Sequence, residues 1–526
     1  MHLNSLRTSV IFIFIFILTV VLSRYYAMFS TSQLGSVELA IDEAQYFFWA
    51  QNLDFGFFSK PPFIAWILFL PSTICNELGP CLRTLQPVAF LFTMLFSGAC
   101  TFELTKDIKA SALTCISIII LPLTTFYSQF ATTDAWLLFF WSFSLYCFIK
   151  SIKTQKIFWW LILGISVGLG LLTKYSMIFF IFSSFLFLLF SRQLGFYKPW
   201  ICLLIAIIIF SPNVYWNFTH DFPTLKHHVE MTTLNERVLI NPHSFIEFFV
   251  GQFLVFSPFI FTLFLYISFY ILYRKKNIFI ISNFSPDHSN NFLKFQLPII
   301  FGLPFFLSIL LLSFIGETEL NWCAPLAVSI CILVCSSLKN KEIFKSFLTQ
   351  KIATILFILS FLFNILFFIS FLNGPRLAEY FNVKDDPKFN PFLQVKGYKD
   401  FASLISPTVY RENPIIVSNH RGILANLSVY FPSITVKSIN NENTVNHHWD
   451  LMYRINEHDL NKKLLVILVD ENKNLTKSNN VEIMRNKFNY TKKTDFSSTQ
   501  LEGKKSKKII SFWASNNKIL IHENKK

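Results

Sequence analysis

Two adjacent carboxylates, Asp42 and Glu43, stand in an aromatic segment that reads "AIDEAQYFFWAQ". A carboxylate can take a proton from a hydroxyl group and so act as a general base. At helical spacing Asp42 shares a face with Tyr46. Phe47, Phe48 and Leu53 can then lie on lipid, which predicts a helix at the membrane interface. The alternative is that both acids are ordinary solvated loop charges.

Two isolated lysines and a third acid occur in similar surroundings. Lys60 precedes a Pro-Pro pair in "SKPPF", Asp134 follows two threonines in "TTDAW", and Lys174 stands in the short turn "LLTKYS". Each lysine could bind an anion, or extend to lipid phosphates as a membrane anchor. Asp134 could belong to a site, or cap a helix, because a carboxylate suits a helix N-terminus.

Further polar candidates lie in two other segments between apolar runs. His228 and Arg237 belong to the segment 213–245, and Glu319 and Asn321 belong to "GETELNWCAP". The histidine and acid spacings match no zinc pattern, so we predict no metal site from the sequence. The requirement for a divalent cation stays open.

Apolar helices must position these residues. The chain has 526 residues, of which 53% are apolar and only 15% are charged. A soluble chain of this length could not cover so much apolar surface, so the composition predicts a polytopic α-helical membrane protein. We predict about eleven spans: 9–29, 86–105, 110–128, 134–149, 158–172, 175–191, 199–212, 246–272, 297–315, 323–337 and 352–371.

Alternate short loops between these spans are basic, which predicts the orientation of the chain. Lysines and arginines cluster near residues 106–109, 150–156, 192–198, 274–276 and 339–351. The positive-inside rule then places the N-terminus in the cytoplasm and the residues after 372 outside. The net charge of +15 has the same origin. No zinc spacing or RNA-binding signature points to nucleic acid.

The composition changes after residue 372, which predicts two domains, a transmembrane domain over 1–372 and a soluble extracytoplasmic α/β domain over 373–526. The runs "PIIVSN", "SITVKSI" and "KLLVILVD" are typical of buried strands. Weaker strand signals are "KKIISFWAS" and "KILIHE". In the first outer loop, Cys75 and Cys81 could form a disulfide if that loop faces an oxidising compartment.

The uncommon acids, histidines and isolated lysines all fall on the outer face of this topology, and the spans carry few charges away from their ends. An ion-coupled transporter needs ionisable groups near the bilayer midplane. An interfacial site instead suits a substrate that is part lipid and part polar.

The motifs resemble those of a known family. The segment "DEAQYFFWAQNLDFGFFSKPPFIAW" resembles the acidic pair, aromatic residues and Pro-Pro turn of membrane glycosyltransferases with the GT-C fold. The similar branch holds the protein O-mannosyltransferases and the lipid A aminoarabinose transferase. "TTDAWLLFFW", "GLGLLTKYS" and "ETELNWCAP" resemble its bacterial members in the same order. Some relatives have an acid where this chain has Ser59, so no sugar or metal contact is assigned to that position.

The resemblance implies an enzyme of the inner membrane that takes a sugar from a polyprenyl phosphate carrier. It transfers the sugar outside the cytoplasm to an envelope glycolipid such as lipid A, another glycan or a protein. The same resemblance implies membrane lipids as partners. Neither a Walker pattern nor a dinucleotide fingerprint is present.

The chemistry implied by this resemblance needs a base at the acceptor hydroxyl and a cation at the leaving phosphate. Asp42 is expected to be the base. Glu43 and Asp134 are expected to orient the acceptor and the sugar, or to sustain the basicity of Asp42 by like charge. The predicted phosphate and substrate contacts are Lys60, Lys174, His228, Arg237, Glu319 and Asn321. Two other functions stay open at this point, a lipid-linked sugar transporter or flippase and a non-catalytic envelope assembly protein.

Overall fold

The computed structural model divides the chain into two compact units. The unit that we call the helical unit comprises Met1–Met28, Lys60–Ile64 and Arg83–Leu372. The sheet unit comprises Phe29–Ser59, Ala65–Leu82 and Asn373–Lys526. The structure describes residues 2–522 except 75–77, 192, 234–240, 275–289, 342, 345, 387–389, 441–444, 471–486, 495 and 497–507.

The described part of the helical unit consists of helices, most of which are long and apolar. They are α1 (His2–Phe29), α5 (Leu85–Thr105), α6 (Ile108–Ile120), α7 (Pro122–Tyr127), α8 (Thr133–Thr154), α9 (Ile157–Thr173), α10 (Ile178–Phe190), α11 (Tyr197–Thr219), α12 (Pro223–Thr233), α13 (Pro242–Val255), α14 (Pro258–Arg274), α15 (Asn290–Leu312), α16 (Leu326–Ser337) and α17 (Phe347–Leu372). Short 3₁₀ helices precede α10 and α16, at Tyr175–Met177 and Leu320–Cys323.

This is a multi-pass membrane protein. In the described part of the chain, six helices are long and apolar enough to cross a bilayer, and a bent helix pair adds a seventh if it forms one span. Four of the shorter apolar helices coincide with further predicted spans: Ile108–Ile120, Ile157–Thr173, Tyr175–Phe190 and Leu326–Ser337. Every predicted span thus coincides with a helix or a helix pair, and the exact count of eleven stays a prediction.

The predicted span 246–272 is not one straight helix. It consists of α13 and α14, which meet at an angle of 109°. Between them Ser257 has a φ of +71°, a left-handed conformation that no α-helix continues. Pro258 follows and supplies no N–H for a helical hydrogen bond. The predicted span 246–272 therefore coincides with a bent helix pair, and the local reason for the bend is this Ser-Pro break.

The sheet unit carries the mixed sheet and the helices around it. Its helices are α2 (Ile41–Gln51), most of α3 (Phe63–Ile74), α4 (Leu78–Leu82), α18 (Gly374–Tyr380), α19 (Tyr398–Glu412), α20 (Arg421–Tyr430), α21 (His448–Met452), α22 (Glu457–Leu460) and α23 (Ile519–His522). Its strands are β1 (Ile415–Ser418), β2 (Val436–Ser438), β3 (Leu464–Asp470), β4 (Tyr490–Lys493) and β5 (Lys508–Ser515).

The five strands form one sheet in the order β2-β1-β3-β5-β4. Strands β2, β1 and β3 are parallel, and β5 pairs antiparallel with both β3 and β4. The three stronger strand predictions and "KKIISFWAS" are confirmed. The weak strand signal in "KILIHE" is wrong, because that segment forms α23, and Asn517 Oδ1 accepts the Ile519 N–H at its start at 3.1 Å.

The two compact units do not coincide with a division of the chain at residue 372. The acidic helix α2 belongs to the sheet unit, where it packs against α20. Phe47 is buried in this unit, and the ring of Phe48 stacks on Trp449 with centroids 4.9 Å apart. The prediction that Phe47 and Phe48 lie on lipid was therefore wrong, because Phe47 is buried and the distant Trp449 covers the ring of Phe48. Leu53, which follows α2, is 48% exposed. The two-domain division itself stays a prediction.

Candidate functional site

Asp134 is buried at the N-terminal end of α8, with 3% of its surface exposed. Thr132 precedes the helix in an extended conformation and places Asp134 in the first helical turn. A carboxylate there interacts favourably with the positive end of the helix dipole. Asp134 therefore lies at a helix start, as predicted, but its carboxylate also has partners from other segments.

Each oxygen of the Asp134 carboxylate accepts a hydrogen bond from a distant segment. Lys174 Nζ lies 2.7 Å from Oδ1, and Asn321 Nδ2 lies 2.9 Å from Oδ2. The side chain of Lys174 is 14% exposed and that of Asp134 only 4%. Such a buried pair needs good geometry and additional hydrogen bonds to offset its desolvation. Asn321 supplies one of these bonds.

Lys174 and Asn321 reach Asp134 because both stand at breaks between helices. Lys174 is extended (φ −158°, ψ 132°) between the end of α9 and the following 3₁₀ helix. The backbone turns closely there, since a Cβ on Gly170 would lie 2.9 Å from the Met177 side chain. Asn321 belongs to the 3₁₀ helix before α16, and Gln252 Nε2 donates to the carbonyl of Leu320 at 3.3 Å. Asp134, Lys174 and Asn321, three predicted site residues, therefore form one cluster.

The two acids of the first motif have different environments within the sheet unit. Glu43 is buried, and its Oε2 accepts the backbone N–H of Ala40 at 3.0 Å, which caps the start of α2. The Asp42 side chain is 54% exposed, and its Oδ1 accepts a hydrogen bond from Arg421 Nη1 at 2.9 Å. Asp42 is therefore the acid that solvent or a substrate can reach from this helix.

Arg421 is a candidate that the sequence analysis missed. It is the first residue of α20 and follows the carboxyl end of the parallel strand β1 by three residues. Its backbone position is restricted, because a Cβ on the next residue, Gly422, would lie 2.1 Å from Tyr398 Oη. Loops after the carboxyl ends of parallel strands commonly bind ligands. That rule, applied to the predicted strand "PIIVSN", was the signal that could have found Arg421.

Aromatic packing within the sheet unit holds α2 in place. Trp49 stacks on Phe57 with centroids 4.5 Å apart, and His448 meets Trp49 edge-on at 5.5 Å. Before α2, the Glu38 carboxylate accepts the backbone N–H groups of Gly397 and Lys399 at 3.2 and 2.9 Å. These contacts position the helix that carries Asp42.

His447 caps the N-terminus of the short helix α21, which carries His448 and Trp449. Its Nδ1 accepts the backbone N–H of Asp450 at 3.2 Å. Burial lowers the pKa of His447, the carboxylate of Asp450 raises it, and Arg421 lowers it further, so that the net shift is downward. A neutral imidazole agrees with the accepting role of Nδ1.

The remaining predicted site residues are Lys60, Glu319, His228 and Arg237. Lys60 is half-buried in the helical unit, three residues before Phe63, whose ring contacts Trp136 of α8 at 5.7 Å. Glu319 is exposed. His228 belongs to α12, but its side chain lies outside the described residues, as does all of Arg237. Cys81 is disulfide-bonded, and Cys75 lies outside the described residues, so their pairing stays a prediction.

Residues 59–216 match the family model of the dolichyl-phosphate-mannose-protein mannosyltransferases. The lipid A galacturonosyltransferase RgtD of Rhizobium johnstonii is 28% identical over 309 residues, which are 57% of this chain and 60% of RgtD. This chain therefore spans about 60% of the length of that relative. The lipopolysaccharide core galacturonosyltransferase RgtB of the same organism is 26% identical over 38% of this chain and 41% of its own.

The crystal structure of ArnT from Cupriavidus metallidurans bound to undecaprenyl phosphate superposes with a TM-score of 0.59. The superposition covers 97% of this chain and 99% of ArnT at 12% sequence identity. The fold is of the GT-C type. The resemblance read from the motifs is thereby confirmed for the architecture, a helical membrane part with a C-terminal α/β sheet.

The GT-C fold of this chain offers no obvious cation site among the residues described. No group of three or more His, Cys, Asp or Glu side chains lies close enough there to hold a metal ion. The Asp134 oxygens already accept from Lys174 and Asn321, and Glu43 caps α2. Hard divalent cations need several oxygen ligands at once. We therefore derive no step through a cation.

Proposed function

We propose that this protein is a glycosyltransferase that moves a sugar from a polyprenyl phosphate carrier to an envelope glycolipid. The cluster of Asp134, Lys174 and Asn321 carries the proposal. An ion pair among membrane helices is costly and is retained mainly where it serves a function. Asp134 and Lys174 both lie within the residues that match the mannosyltransferase family.

The named relatives support the substrate classes. RgtD acts on lipid A, RgtB acts on the lipopolysaccharide core, and ArnT has been crystallised with undecaprenyl phosphate. We propose an acceptor of the lipid A and lipopolysaccharide class for this chain. A galacturonosyl donor is the first sugar to test, because it is the sugar in both relatives' names.

In the proposed reaction the acceptor oxygen attacks the anomeric carbon as the bond from that carbon to the carrier phosphate breaks. Asp42 takes the acceptor proton, and the polyprenyl phosphate leaves with the electron pair, which inverts the configuration. The exposure of the Asp42 carboxylate supports its assignment as base, and the hydrogen bond from Arg421 Nη1 holds that carboxylate in one orientation. Glu43 is buried and caps its helix, so we assign it an orienting role.

Cations at the leaving phosphate would stabilise the charge that grows there. We assign this role to Lys60 and Lys174, and, from their place in the predicted topology, to His228 and Arg237. Asp134 then holds the ammonium group of Lys174 in one position, with Asn321 fixing the carboxylate. Glu319, two residues from Asn321, is proposed as a polar contact to the sugar or acceptor.

We also propose that the reaction takes place on the outer side of the cytoplasmic membrane. The basic loops favour a cytoplasmic N-terminus and an extracytoplasmic C-terminus. No nucleotide sugar is needed on that side when the carrier lipid supplies the activated sugar.

The test is a transfer assay in membranes supplied with polyprenyl-phosphate galacturonic acid and lipid A. We expect Asp42→Asn and Asp134→Asn each to lower the transfer rate by about 10²-fold or more at unchanged expression. Asp400→Asn is the matched control, because Asp400 is also an exposed acid in the first turn of a helix of the sheet unit. Near-normal transfer by the Asp42 variant would remove it as the base. Export of the carrier without sugar transfer would favour a flippase.

A further inference from the structure

The helical unit has a polar cavity of about 350 Å³ at one end of its helices. Its walls come from the turn between α5 and α6, the first turns of α15 and the last turn of α16 with the residues that follow. The cavity is open to the surface, and its lining contains both lysines and apolar side chains. None of the residues that line it has a role in the proposed reaction.

This cavity is separate from the cluster around Asp134. Asn321 precedes the first turn of α16, whereas Ser336 and Leu338 at the other end of that helix line the cavity. The helix has 12 residues. At 1.5 Å per residue its two ends are about 18 Å apart, roughly half of a bilayer.

Positive charge predominates in the cavity lining. Lys294, Lys339 and Lys341 line it, against the single carboxylate of Asp107. Asp107 Oδ1 already accepts the backbone N–H of Lys109 at 2.7 Å, as the cap of α6, and Oδ2 lies 3.9 Å from Lys339 Nζ. Among the described residues that line the cavity, three lysines thus stand against one acid.

The lining also offers a hydroxyl group that could donate a hydrogen bond. Within the described ranges of the chain, Ser336 Oγ is buried and has no hydrogen-bond partner. A buried polar atom without a partner calls for a ligand or a water molecule to satisfy it. A phosphate oxygen would accept this bond together with charge-assisted bonds from the lysines.

Apolar residues form the rest of the wall. Leu113, Phe295 and Leu338 line the cavity beside the lysines, and Lys294 Nζ lies 4.9 Å from the centroid of the Phe295 ring. A free phosphate ion would gain nothing from these side chains. An amphiphile with an anionic head and a hydrocarbon chain would use both parts of the lining.

We propose that this cavity binds the phosphate headgroup of an anionic membrane phospholipid. The basic loops place it on the face that the sequence predicts to be cytoplasmic, where anionic lipids create a negative surface potential. Basic pockets between membrane helices on that side are suited to such headgroups. The bound lipid would connect the α5–α6 turn with the adjoining ends of α15 and α16.

The test uses the purified full-length protein and short-chain lipids, with binding measured by native mass spectrometry. The pocket variant is Lys294→Gln with Lys339→Gln and Lys341→Gln. The matched control is Lys109→Gln with Lys156→Gln and Lys351→Gln, which removes the same charge from exposed lysines outside the cavity lining. The probes are dioctanoyl phosphatidylglycerol, dioctanoyl phosphatidylcholine and inorganic phosphate as a competitor.

We expect phosphatidylglycerol to bind the parent protein, and the pocket variant to bind it at least about 10-fold more weakly. The control variant should stay within about 2-fold of the parent, because its lysines contribute only a diffuse field. Equal losses in both variants would overturn the proposal, as would equal binding of phosphatidylcholine. Complete displacement of the lipid by millimolar inorganic phosphate would also overturn it and identify a site for free phosphate.

Discussion

Asp134 and Asp42 show how the partners of a carboxylate separate two residues of the same type. Both oxygens of Asp134 accept from Lys174 and Asn321 inside the helical unit, which suits a positioning role. Asp42 is half-exposed and has one arginine partner, which leaves lone pairs for an acceptor proton. The sequence placed Asp134 at a helix start and Asp42 on one face of an interfacial helix, and their different partners support the proposal that Asp42 is the base and Asp134 an orienting group.

At this scale we predict that Lys174→Met destabilises the protein by about 3 kcal/mol, because it leaves the buried Asp134 charge without its cation. Lys174→Met combined with Asp134→Asn should cost clearly less than the sum of the two single changes. Thermal unfolding of the detergent-solubilised protein measures all four members of this cycle. Additive costs would show that Asp134 and Lys174 do not interact.

Helix α2 shows how an element carries a site residue to its position. Its sequence has two adjacent acids followed by four consecutive aromatic residues, and it could lie on lipid by composition alone. In the structure, aromatic residues from the region after 372 cover it, with Trp449 against Phe48 and His448 against Trp49. The position of Asp42 therefore depends on contacts made nearly two turns further along the helix.

We predict that Phe48→Ala lowers the transfer rate by about 10-fold and lowers the melting temperature, because the stacking and edge contacts of Phe48 are lost. Leu53→Ala is the control, since Leu53 follows the same helix but is 48% exposed. Transfer assays and thermal unfolding on both variants check this prediction. Equal effects of the two substitutions would contradict the positioning role of Phe48.

The whole chain consists of two compact units with different chemistry. One is a bundle of apolar helices, and the other carries the five-stranded sheet with α2 and α4. Charge asymmetry between loops is the property that decides how such a chain inserts, because lysines and arginines are retained in the cytoplasm.

At the scale of the molecule we predict that the C-terminus is extracytoplasmic and the N-terminus cytoplasmic. A fusion of alkaline phosphatase, which needs an oxidising compartment, should be active after residue 526 and inactive after residue 150. The fusion after residue 150 serves as the internal control, because the same predicted topology places that basic loop in the cytoplasm. The opposite pattern of activity would refute the orientation.

Much of the fold could be predicted from local composition. The spans, the strands β1, β2 and β3, and the polar segments all follow from the type and spacing of neighbouring residues. The break at Ser257 escaped prediction, because a single left-handed residue does not interrupt an apolar pattern. The helical turn at Ile519–His522 escaped it as well, since a capping asparagine outweighed β-branched residues.

For the candidate site, the sequence by itself indicated the acids and lysines, because such residues are conspicuous in so apolar a chain, but it did not indicate Arg421. Only the tertiary structure decided their partners. Asn321 is 187 positions from Asp134, and Arg421 is 379 positions from Asp42. Hydrogen bonds between such distant residues depend on how helices and strands pack, and no local pattern encodes that packing.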